Sequence, residues 1–396
     1  MSLIFYQDTK NKFTYDELFE RLNNKKDFFE IYYAEDFLDF VCHVFLGIIN
    51  SKKFILVDYL YQNGQNSEKI EVDVKVDSID KFIEYIKTSK AEVGIWSSGS
   101  EGPPKLIFQP ISRLLLSVRF SSEYQSTRWG LTYHPAHSAG IQLILQVVCN
   151  LSTIVYLRDL KGLKLKTFIH SVSLDYLAAT PTFYRMLAPY DFELRSIKSV
   201  TINGERSTQK LISDLRLIFP NAKIRNIYGS TEAGPLMSSE SEVFIIPSRL
   251  LDKVKVIENE LFFHKSIVST SVGIVEWYAS GDIVEVLKED PLTIKILSRK
   301  SRIINVGGHN VNPQQIEELI LQMPEVVDVR VYGRKNNITD YLIVAEVLKV
   351  FGSDLSEKQI MTWVKQHFPL YKVPRIIKFV ETIEVGRTGK KMVPNA

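Results

Sequence analysis

The sequence is poor in cysteine and lacks long hydrophobic runs, and both shortages narrow its class. Its 396 residues include only two cysteines, Cys42 and Cys149, each in an apolar run. Such cysteines fit reduced core side chains better than a disulfide framework or a metal site, as in cytoplasmic proteins. No stretch approaches the ~20 apolar residues of a membrane span, and residues 1–8 do not resemble a secretory leader. A soluble, cytoplasmic protein is therefore expected.

An excess of charge of one sign is also missing. The chain has 49 lysine and arginine residues against 46 aspartate and glutamate residues, and no basic stripe interleaved with aromatic residues. A nucleic-acid partner is therefore not expected. Hydrophobic residues make up 45% of the chain, and its length predicts two or three domains.

Strand-length apolar runs and segments of helical period alternate up to about residue 230. The runs lie at 54–57, 93–96, 152–157, 199–202 and 223–227. One helical segment extends from Ser207, a candidate N-cap, to Phe219, and Pro220 ends it. Strands that alternate with helices predict layered α/β sheets.

The pattern changes twice in the second half of the chain. Short strands at 254–257, 260–263, 273–277, 283–286 and 292–296 predict a small β-barrel or meander. The order strand, helix, strand, strand, helix, strand then predicts a small α+β domain, in which Asn312 caps a helix that begins at Pro313. We therefore expect an N-terminal domain over residues 1–298, a separate C-terminal domain over residues 299–396, and a hinge in the basic run 298–302.

The segment from Ile95 to Lys105 has the chemistry of a phosphate-binding loop. Glycine permits close approach of the backbone, serine hydroxyls and backbone N–H groups donate, and lysine adds positive charge. The spacing differs from the usual triphosphatase loop, and Leu106 stands where that motif needs a hydroxyl. Taken alone, such a cluster is more often an ordinary loop. The candidate phosphate ligands are Ser97, Ser98, Gly99, Ser100, Gly102 and Lys105.

Residues 226–232 close a strand with further nucleotide-binding groups. Tyr228 offers a ring for a base, Gly229 permits close approach, Thr231 offers a hydroxyl for a phosphate, and Glu232 offers a carboxylate for Mg²⁺. The alternative is a polar turn with a buried tyrosine.

Other candidates are spread along the chain. Gly204 and Glu205 follow a strand of the expected parallel sheet, where ligands bind at the carboxyl ends of strands. Asp282 follows a predicted tight turn and suits two ribose hydroxyls, although such a Gly-Asp pair is more often only a hairpin turn. Arg299 could add a second contact to the same sugar. Lys390 lies in a glycine-containing segment near the chain end, for which a solvated tail is the alternative.

In this order, the segments resemble the motifs of the adenylate-forming superfamily, which includes acyl-CoA synthetases, peptide-synthetase adenylation domains and beetle luciferases. The phosphate loop of that family, Thr/Ser-Ser-Gly-Ser/Thr-Thr-Gly-x-Pro-Lys, is matched by Ser97 to Lys105, and its Asn-x-Tyr-Gly-x-Thr-Glu motif by Asn226 to Glu232. Weaker matches, at 13–18, 203–205, 280–282, 298–317 and 389–390, extend the resemblance over nearly the whole chain.

The resemblance implies an activity and its cofactors. In this family a carboxylate attacks the α-phosphorus of ATP, pyrophosphate leaves, and the acyl-adenylate passes to a thiol of coenzyme A or of a pantetheinylated carrier protein. The expected cofactors are ATP and Mg²⁺, the expected substrate is a small carboxylic acid, and an acyl carrier protein is a possible partner.

The resemblance also implies roles for single residues. The loop from Ser97 to Lys105 would hold the β- and γ-phosphates, Thr231 the α-phosphate and Glu232 the Mg²⁺. Tyr228 would face the adenine, and Asp282 with Arg299 the ribose. Lys390, on the mobile domain, would bridge the carboxylate and the α-phosphate and then swing away with the domain. Asn226, Gly204, Glu205 and Gly229 complete the expected nucleotide-binding set.

The chain departs from the family pattern at a few positions. Glu101 replaces a threonine, Leu106 a glycine, Asn305 a lysine and Val393 an arginine, and the region before the phosphate loop is shorter than usual. None of these changes removes a group essential for adenylation.

The segment 133–140 bears on the substrate. Amino-acid-activating members carry an aspartate there for the α-amine, and this chain has no acidic residue in it. His137 to Gly140 instead looks like the Phe-His-x-x-Gly segment of acyl- and aryl-CoA ligases, which favours an acid without an α-amine. His137 is expected to line the pocket or donate to the carboxylate, with a structural role in the turn as the alternative.

Three functions remain open on the sequence. An ATP-dependent acid–thiol ligase leads. A stand-alone amino-acid adenylating enzyme is disfavoured by the missing aspartate. A regulatory nucleotide-binding homologue without catalysis is disfavoured by Lys390, Glu232 and Asp282.

Overall fold

The structure is a computed structural model that describes residues 3–57, 65–97, 105–273, 276–336, 340–386 and 389–392. Its strands are β1 Ile4–Gln7, β2 Lys12–Thr14, β3 Asp27–Phe29, β4 Lys53–Ile55, β5 Lys69–Glu71, β6 Glu92–Trp96, β7 Leu106–Pro110, β8 Arg128–Leu131, β9 Thr153–Tyr156, β10 Tyr176–Ala179, β11 Ser199–Ile202, β12 Lys223–Ser230, β13 Gly234–Ser239, β14 Val243–Ile245, β15 Val254–Ile257, β16 Glu260–His264, β17 Trp277–Lys288, β18 Thr293–Arg299, β19 Ile304–Val306, β20 His309–Val311, β21 Val326–Asn336, β22 Asp340–Lys349 and β23 Ile376–Phe379.

The helices connect these strands and cover the sheets. They are α1 Tyr15–Asn24, α2 Phe37–Ile49, α3 Ile79–Thr88, α4 Ile111–Leu115, α5 Ser138–Val148, α6 Gly162–Val172, α7 Pro181–Arg185, α8 Gln209–Ile218, α9 Pro313–Ile320 and α10 Glu357–His367. Within the described ranges, none of them is long and apolar enough to cross a membrane.

An eight-stranded sheet forms the centre of the larger part of the fold, in the order β13-β12-β11-β10-β8-β9-β1-β2. Neighbouring strands from β12 to β1 along this order pair in parallel. Parallel strands covered by helices confirm the layered α/β sheets predicted from the alternating pattern. Because the carboxyl ends of parallel strands meet at one edge, the residues that follow β10, β11 and β12 come together there.

Helix α8 shows how the local sequence sets a boundary. The hydroxyl of Thr208 accepts a hydrogen bond from Leu211 N at 3.3 Å, which makes Thr208 the N-cap. The predicted cap at Ser207 is therefore wrong by one residue, and Ser207 is buried. The apolar face, with Leu215 and Ile218, is buried as predicted.

A smaller sheet carries the predicted phosphate loop. Its order is β4-β6-β7, and β6 and β7 pair antiparallel with Trp96 opposite Leu106. The loop therefore joins two paired strands, and its ends are fixed by the backbone bonds of the ladder.

The small β unit is a five-stranded antiparallel sheet in the order β14-β18-β17-β16-β15. Two predicted details are wrong. The strand expected from residue 273 begins only at Trp277, although residues 274–275 lie outside the described ranges. The tight turn expected before Asp282 lies inside β17, where Gly281 has φ +76° and the register against β16 shifts. A bulge, which glycine permits, thus replaces the turn.

The C-terminal part has its own sheet and core. Its sheet runs β20-β19-β22-β21, and β23 pairs in parallel with β22. Asn312 caps α9, and Pro313 occupies its first turn, as predicted. Ser356 caps α10 with a capping box. Helices α9 and α10 cover a hydrophobic cluster whose buried members lie between residues 306 and 377.

The larger part passes into the smaller one at Arg299. This residue ends β18 and pairs with Asp282, so it belongs to the β unit of the core. A turn of 3₁₀ helix at 300–302 follows, and β19 then starts the C-terminal sheet. The chain leaves the core sheet just after the expected boundary between 298 and 299, and the hinge at 298–302 stays a prediction.

Candidate active site

The candidate site lies at the carboxyl edge of the central sheet. Thr180 follows β10 and caps α7, and Gly204 follows β11 with φ +85°. The side chain of Lys390 reaches this edge from the C-terminal part, since a Cβ atom added at Gly204 would lie 3.6 Å from Lys390 Cε. The structure thus brings together groups that are almost 200 residues apart in the chain.

Tyr228, Asp282 and Arg299 form one polar cluster. The Tyr228 hydroxyl donates to Asp282 Oδ2 at 2.5 Å, and Arg299 Nε lies 2.7 Å from Asp282 Oδ1. The Tyr228 ring also packs against Phe244 and Phe263. Burial, followed by the charge of Asp282, raises the pKa of Tyr228 well above its ordinary value, so the hydroxyl remains a donor at neutral pH.

Lys390 points into a strongly charged region. Burial lowers the pKa of its ammonium below the ordinary lysine value, and the carboxylate of Glu205, the largest opposing influence, raises it again. Arg299 adds to the lowering, and Asp282 and Glu232 to the raising. Among the described residues no hydrogen bond or ion pair holds this ammonium, so it is available to a ligand with negative charge.

Glu205 is held firmly in the same region. Its Oε2 accepts hydrogen bonds from Thr182 N at 3.0 Å and from Thr182 Oγ1 at 2.6 Å. Its Oε1 accepts from Lys391 N at 3.0 Å, next to the candidate lysine. Glu205 therefore fixes the backbone beside Lys390.

The turn that carries Thr231 and Glu232 is fixed by its backbone. Gln109 Nε2 donates to Thr231 O at 2.9 Å and to Glu232 O at 3.3 Å, and Ser269 N donates to Glu232 O at 2.8 Å. Within the described part of the chain, no hydrogen bond or ion pair uses the Thr231 hydroxyl or the Glu232 carboxylate. A fixed, uncommitted carboxylate beside a hydroxyl is a donor set that suits Mg²⁺ together with a phosphate, so the residues fit the expected ion.

Only the ends of the predicted phosphate loop belong to the described residues. Lys105 N donates to Ser97 Oγ at 2.9 Å, and Ser97 N donates to Lys105 O at 2.8 Å, so these residues close the base of the loop. Lys105 is exposed. The expected ligands Ser98, Gly99, Ser100 and Gly102 lie outside the described residues, as does Glu101.

Two expected nucleotide ligands have structural contacts of their own. Asn226 is buried and donates from Nδ2 to Ser241 O at 2.9 Å. A Cβ atom at Gly229 would lie 2.4 Å from Gly234 O, so glycine is required for the close pairing of β12 with β13.

His137 precedes α5 without capping it through its side chain. Its ring lies edge-on to that of His134, with centroids 5.2 Å apart. Gly140 packs against the same turn so closely that a Cβ atom would lie 2.1 Å from His134 O. The histidines therefore sit on a tightly packed turn, and a role for His137 toward the acid stays a prediction.

Several residues that build the site were not predicted from the sequence, namely Gln109, Thr180, Thr182, Arg185, Asp328 and Lys391. For Gln109 a signal existed, because it is the single polar residue in the otherwise apolar β7. For Arg185 and Asp328 no local signal existed, since the two residues are far apart in the chain and become partners only in the folded structure.

The fold and the site define a protein of the adenylate-forming type, in which a small domain carries a lysine to the sheet edge of a large α/β core. The chain belongs to the AMP-binding enzyme family: the model of that family matches residues 59–256. The model of the AMP-binding enzyme C-terminal domain matches residues 315–390.

Individual relatives are distant. A 2-succinylbenzoate–CoA ligase from Staphylococcus aureus is 23% identical over 324 residues, which are 75% of this chain and 64% of the ligase. The chain thus spans slightly less than two thirds of that relative. The structure of o-succinylbenzoate CoA synthetase from Bacillus subtilis, solved with its acyl-adenylate, matches with a TM-score of 0.69 at 15% identity. The match covers 98% of this chain and 94% of the synthetase chain. ATP-bound MatB from Rhodopseudomonas palustris has a TM-score of 0.71 at 13% identity, with coverages of 98% and 94%.

Proposed function

We propose that this protein uses ATP and Mg²⁺ to activate a small carboxylic acid as its acyl-adenylate, with release of pyrophosphate, and then transfers the acyl group to a thiol. The observation that carries the proposal is the position of Lys390. The C-terminal domain holds it at the sheet edge, within the electrostatic reach of Glu205, Asp282 and Glu232.

The nucleotide would lie across the carboxyl edge of the sheet. The ring of Tyr228 would face the adenine, and Asp282 with Arg299 would hold the ribose. A carboxylate has about four acceptor positions, so Asp282 can bind ribose hydroxyls while it keeps its contacts with Tyr228 and Arg299. The loop between Ser97 and Lys105 would bind the β- and γ-phosphates.

Lys390 would act on the reacting atoms. Its ammonium would bridge the carboxylate of the acid and the α-phosphate, hold their reacting atoms about 3–3.5 Å apart, and reduce the repulsion between them. Thr231 would donate to the α-phosphate. Glu232 would hold the Mg²⁺, which when bound neutralises phosphate charge during the transfer.

The acid would approach past the turn of His137. This turn offers no carboxylate for an α-amine, which favours aryl or acyl acids over amino acids. His137 would line this pocket. The family relationship to 2-succinylbenzoate–CoA ligases makes 2-succinylbenzoate the first acid to try.

The acceptor would be coenzyme A or the pantetheine arm of a carrier protein. Rotation of the C-terminal domain about the hinge at 298–302 would withdraw Lys390 after the first step and admit the thiol. Such a rotation would make formation of the acyl-adenylate and transfer of the acyl group to the thiol two successive steps.

Exchange of labelled pyrophosphate into ATP tests the proposal. The panel contains 2-succinylbenzoate, other aryl acids, fatty acids and amino acids, and exchange should occur with an aryl or fatty acid. Lys390→Ala should lower the rate at least 100-fold, which is a typical effect of removing a charge from a transition state. Exposed Lys378→Ala is the matched control and should have no effect.

Other results would favour the other functions. Exchange with amino acids alone would indicate an amino-acid adenylating enzyme. ATP binding without exchange for any acid would indicate a non-catalytic homologue. Full exchange by Lys390→Ala would remove Lys390 from the mechanism.

A further inference from the structure

Two consecutive lysines lie in different surroundings. Lys390 is partly buried, and its ammonium has no hydrogen-bond partner among the described residues. The Lys391 side chain is only 6% exposed, and its Nζ donates to Asp328 Oδ1 at 2.7 Å and to Val329 O at 2.5 Å. Lys391 is therefore bound in place, whereas Lys390 is open to the site.

Asp328 connects the two parts of the fold. It lies on β21 of the C-terminal sheet, and the same Oδ1 that accepts from Lys391 is 2.9 Å from Nε of Arg185, at the end of α7 in the core. The side chains of Asp328 and Arg185 are 4% and 10% exposed. Buried charges are tolerated when they are paired, so one carboxylate holds a cation from each part.

The backbone on both sides of Lys390 is also bound to the core. Thr180 Oγ1 donates to Gly389 O at 2.9 Å, and Lys391 N donates to Glu205 Oε1 at 3.0 Å. Gly389 has φ +74°, a conformation that favours glycine and reverses the chain just before the lysine. The position of Lys390 therefore depends on contacts made by its neighbours.

We propose that Asp328 and Lys391 are positioning residues for Lys390. Lys391 fastens the segment 389–392 to β21, and Asp328 docks that segment on Arg185, so that the Lys390 ammonium enters the site in one arrangement. The inference rests on the proposed function, which makes Lys390 the group that acts on acid and nucleotide.

The two contacts of Asp328 have separable consequences. The contact with Lys391 is internal to the C-terminal domain and persists when that domain rotates. The contact with Arg185 crosses between the domains and breaks on rotation. Lys391 therefore sets where Lys390 points, and Arg185 contributes to docking of the domain together with the core contacts of the segment 389–391.

Amine labelling of the full-length protein measures both effects at Lys390 itself. Acetic anhydride is applied over a pH series from neutral to alkaline, and the rate at Lys390 is read by peptide mass spectrometry. Lys391→Met, which keeps a similar length without charge, should raise the limiting rate about tenfold, because losing a charge-assisted hydrogen bond shifts local opening by at least that factor. The midpoint of the pH profile should rise toward that of an exposed lysine. Asp328→Asn should do the same.

Two controls separate positioning from general damage. Lys391→Arg keeps the charge and should restore the profile of the unaltered protein. Lys378→Met makes the same chemical change at an exposed site of the same domain and should leave the Lys390 profile unchanged. Thermal unfolding checks that each variant is folded, and if Lys391→Met fails to fold, the comparison of Asp328→Asn with Lys391→Arg decides.

An unchanged rate and pH profile at Lys390 in folded Lys391→Met and Asp328→Asn would overturn the inference. The labelling needs neither acid nor ATP, so it can be interpreted even if no acid supports exchange. Absence of exchange would count against the proposed function alone. Once an acid is found, Lys391→Met should lower kcat for exchange and leave KM for ATP unchanged.

Discussion

Both oxygens of Asp282 are already used before a nucleotide arrives. Tyr228 donates to one oxygen and Arg299 lies beside the other. The carboxylate is thus fixed in orientation while it retains further acceptor positions for ribose hydroxyls. Side chains held in this way lose little freedom on binding, so the cluster suits a preorganised sugar site.

His43 gives a prediction for acid stability at the scale of one residue. It is 4% exposed, stacks between Phe28 and Tyr32, and shares a hydrogen bond of 2.9 Å with Phe29 O. Burial lowers the pKa of His43 from 6.5 to about 4. The unfolded chain therefore binds this proton first, and stability should fall as pH drops from about 6.5 to about 4, by about 3 kcal/mol in total.

Urea unfolding across this pH range measures the effect. Carboxylates also titrate in this pH range. The informative quantity is therefore the difference between the unaltered protein and His43→Gln, which cannot take up the proton, in the slope of the free energy of unfolding against pH. His170→Gln, at an exposed position on α6, is the control and should keep the slope of the unaltered protein. Equal slopes in all three proteins would contradict the prediction.

At the scale of elements, β7 connects two parts of the candidate nucleotide site. It begins one residue after the phosphate loop, and its Gln109, 2% exposed, donates to the carbonyl groups of Thr231 and Glu232. The segment that follows β16 also contacts β7, since Ser269 Oγ donates to Phe108 O at 2.7 Å. The spacing between loop and turn therefore depends on this junction.

Gln109→Leu should weaken the proposed metal site without removing a ligand. It deletes the donors that orient the turn of Glu232, and loss of such an outer contact typically costs 10- to 100-fold in metal affinity. Titration of Mn²⁺ into the protein with ATP, followed by electron paramagnetic resonance, measures the affinity. Ser271→Ala is the control. It removes the hydrogen bond that Phe108 N of β7 donates to Ser271 Oγ, and it should retain the Mn²⁺ affinity of the unaltered protein. Equal Mn²⁺ affinity in both variants would refute the role of Gln109.

The elements that could be predicted from the sequence are those whose boundaries depend on interactions between residues close together in the chain. The Asn312–Pro313 start of α9 and the strand 199–202 were predicted correctly, because caps and apolar runs act within a few residues. The conformation at Gly281 was not predicted correctly, because a glycine with a positive φ fits either a turn or a bulge. Pairing with β16 decides in favour of the bulge.

At the scale of the whole molecule, long-range contacts decide what the sequence left open. The motifs predicted a set of site residues, of which the structure brings Tyr228, Asp282, Arg299 and Lys390 close together. The docking of the two parts could not be predicted. It depends on pairs such as Arg185 and Asp328, which are ordinary surface-type residues in sequence and become buried partners only when the parts meet.

The C-terminal part should fold alone. Its buried cluster lies wholly within residues 306–377, so a fragment of residues 303–396 retains its core and loses mainly polar docking contacts. We expect cooperative thermal unfolding of this fragment by circular dichroism, whereas a fragment of residues 351–396, which lacks β21 and β22, should not fold. The complementary fragment 1–302 should bind ATP and catalyse no exchange, because it lacks Lys390. A fragment 303–396 without a cooperative transition would mean that the core is needed to fold this part and would contradict the prediction.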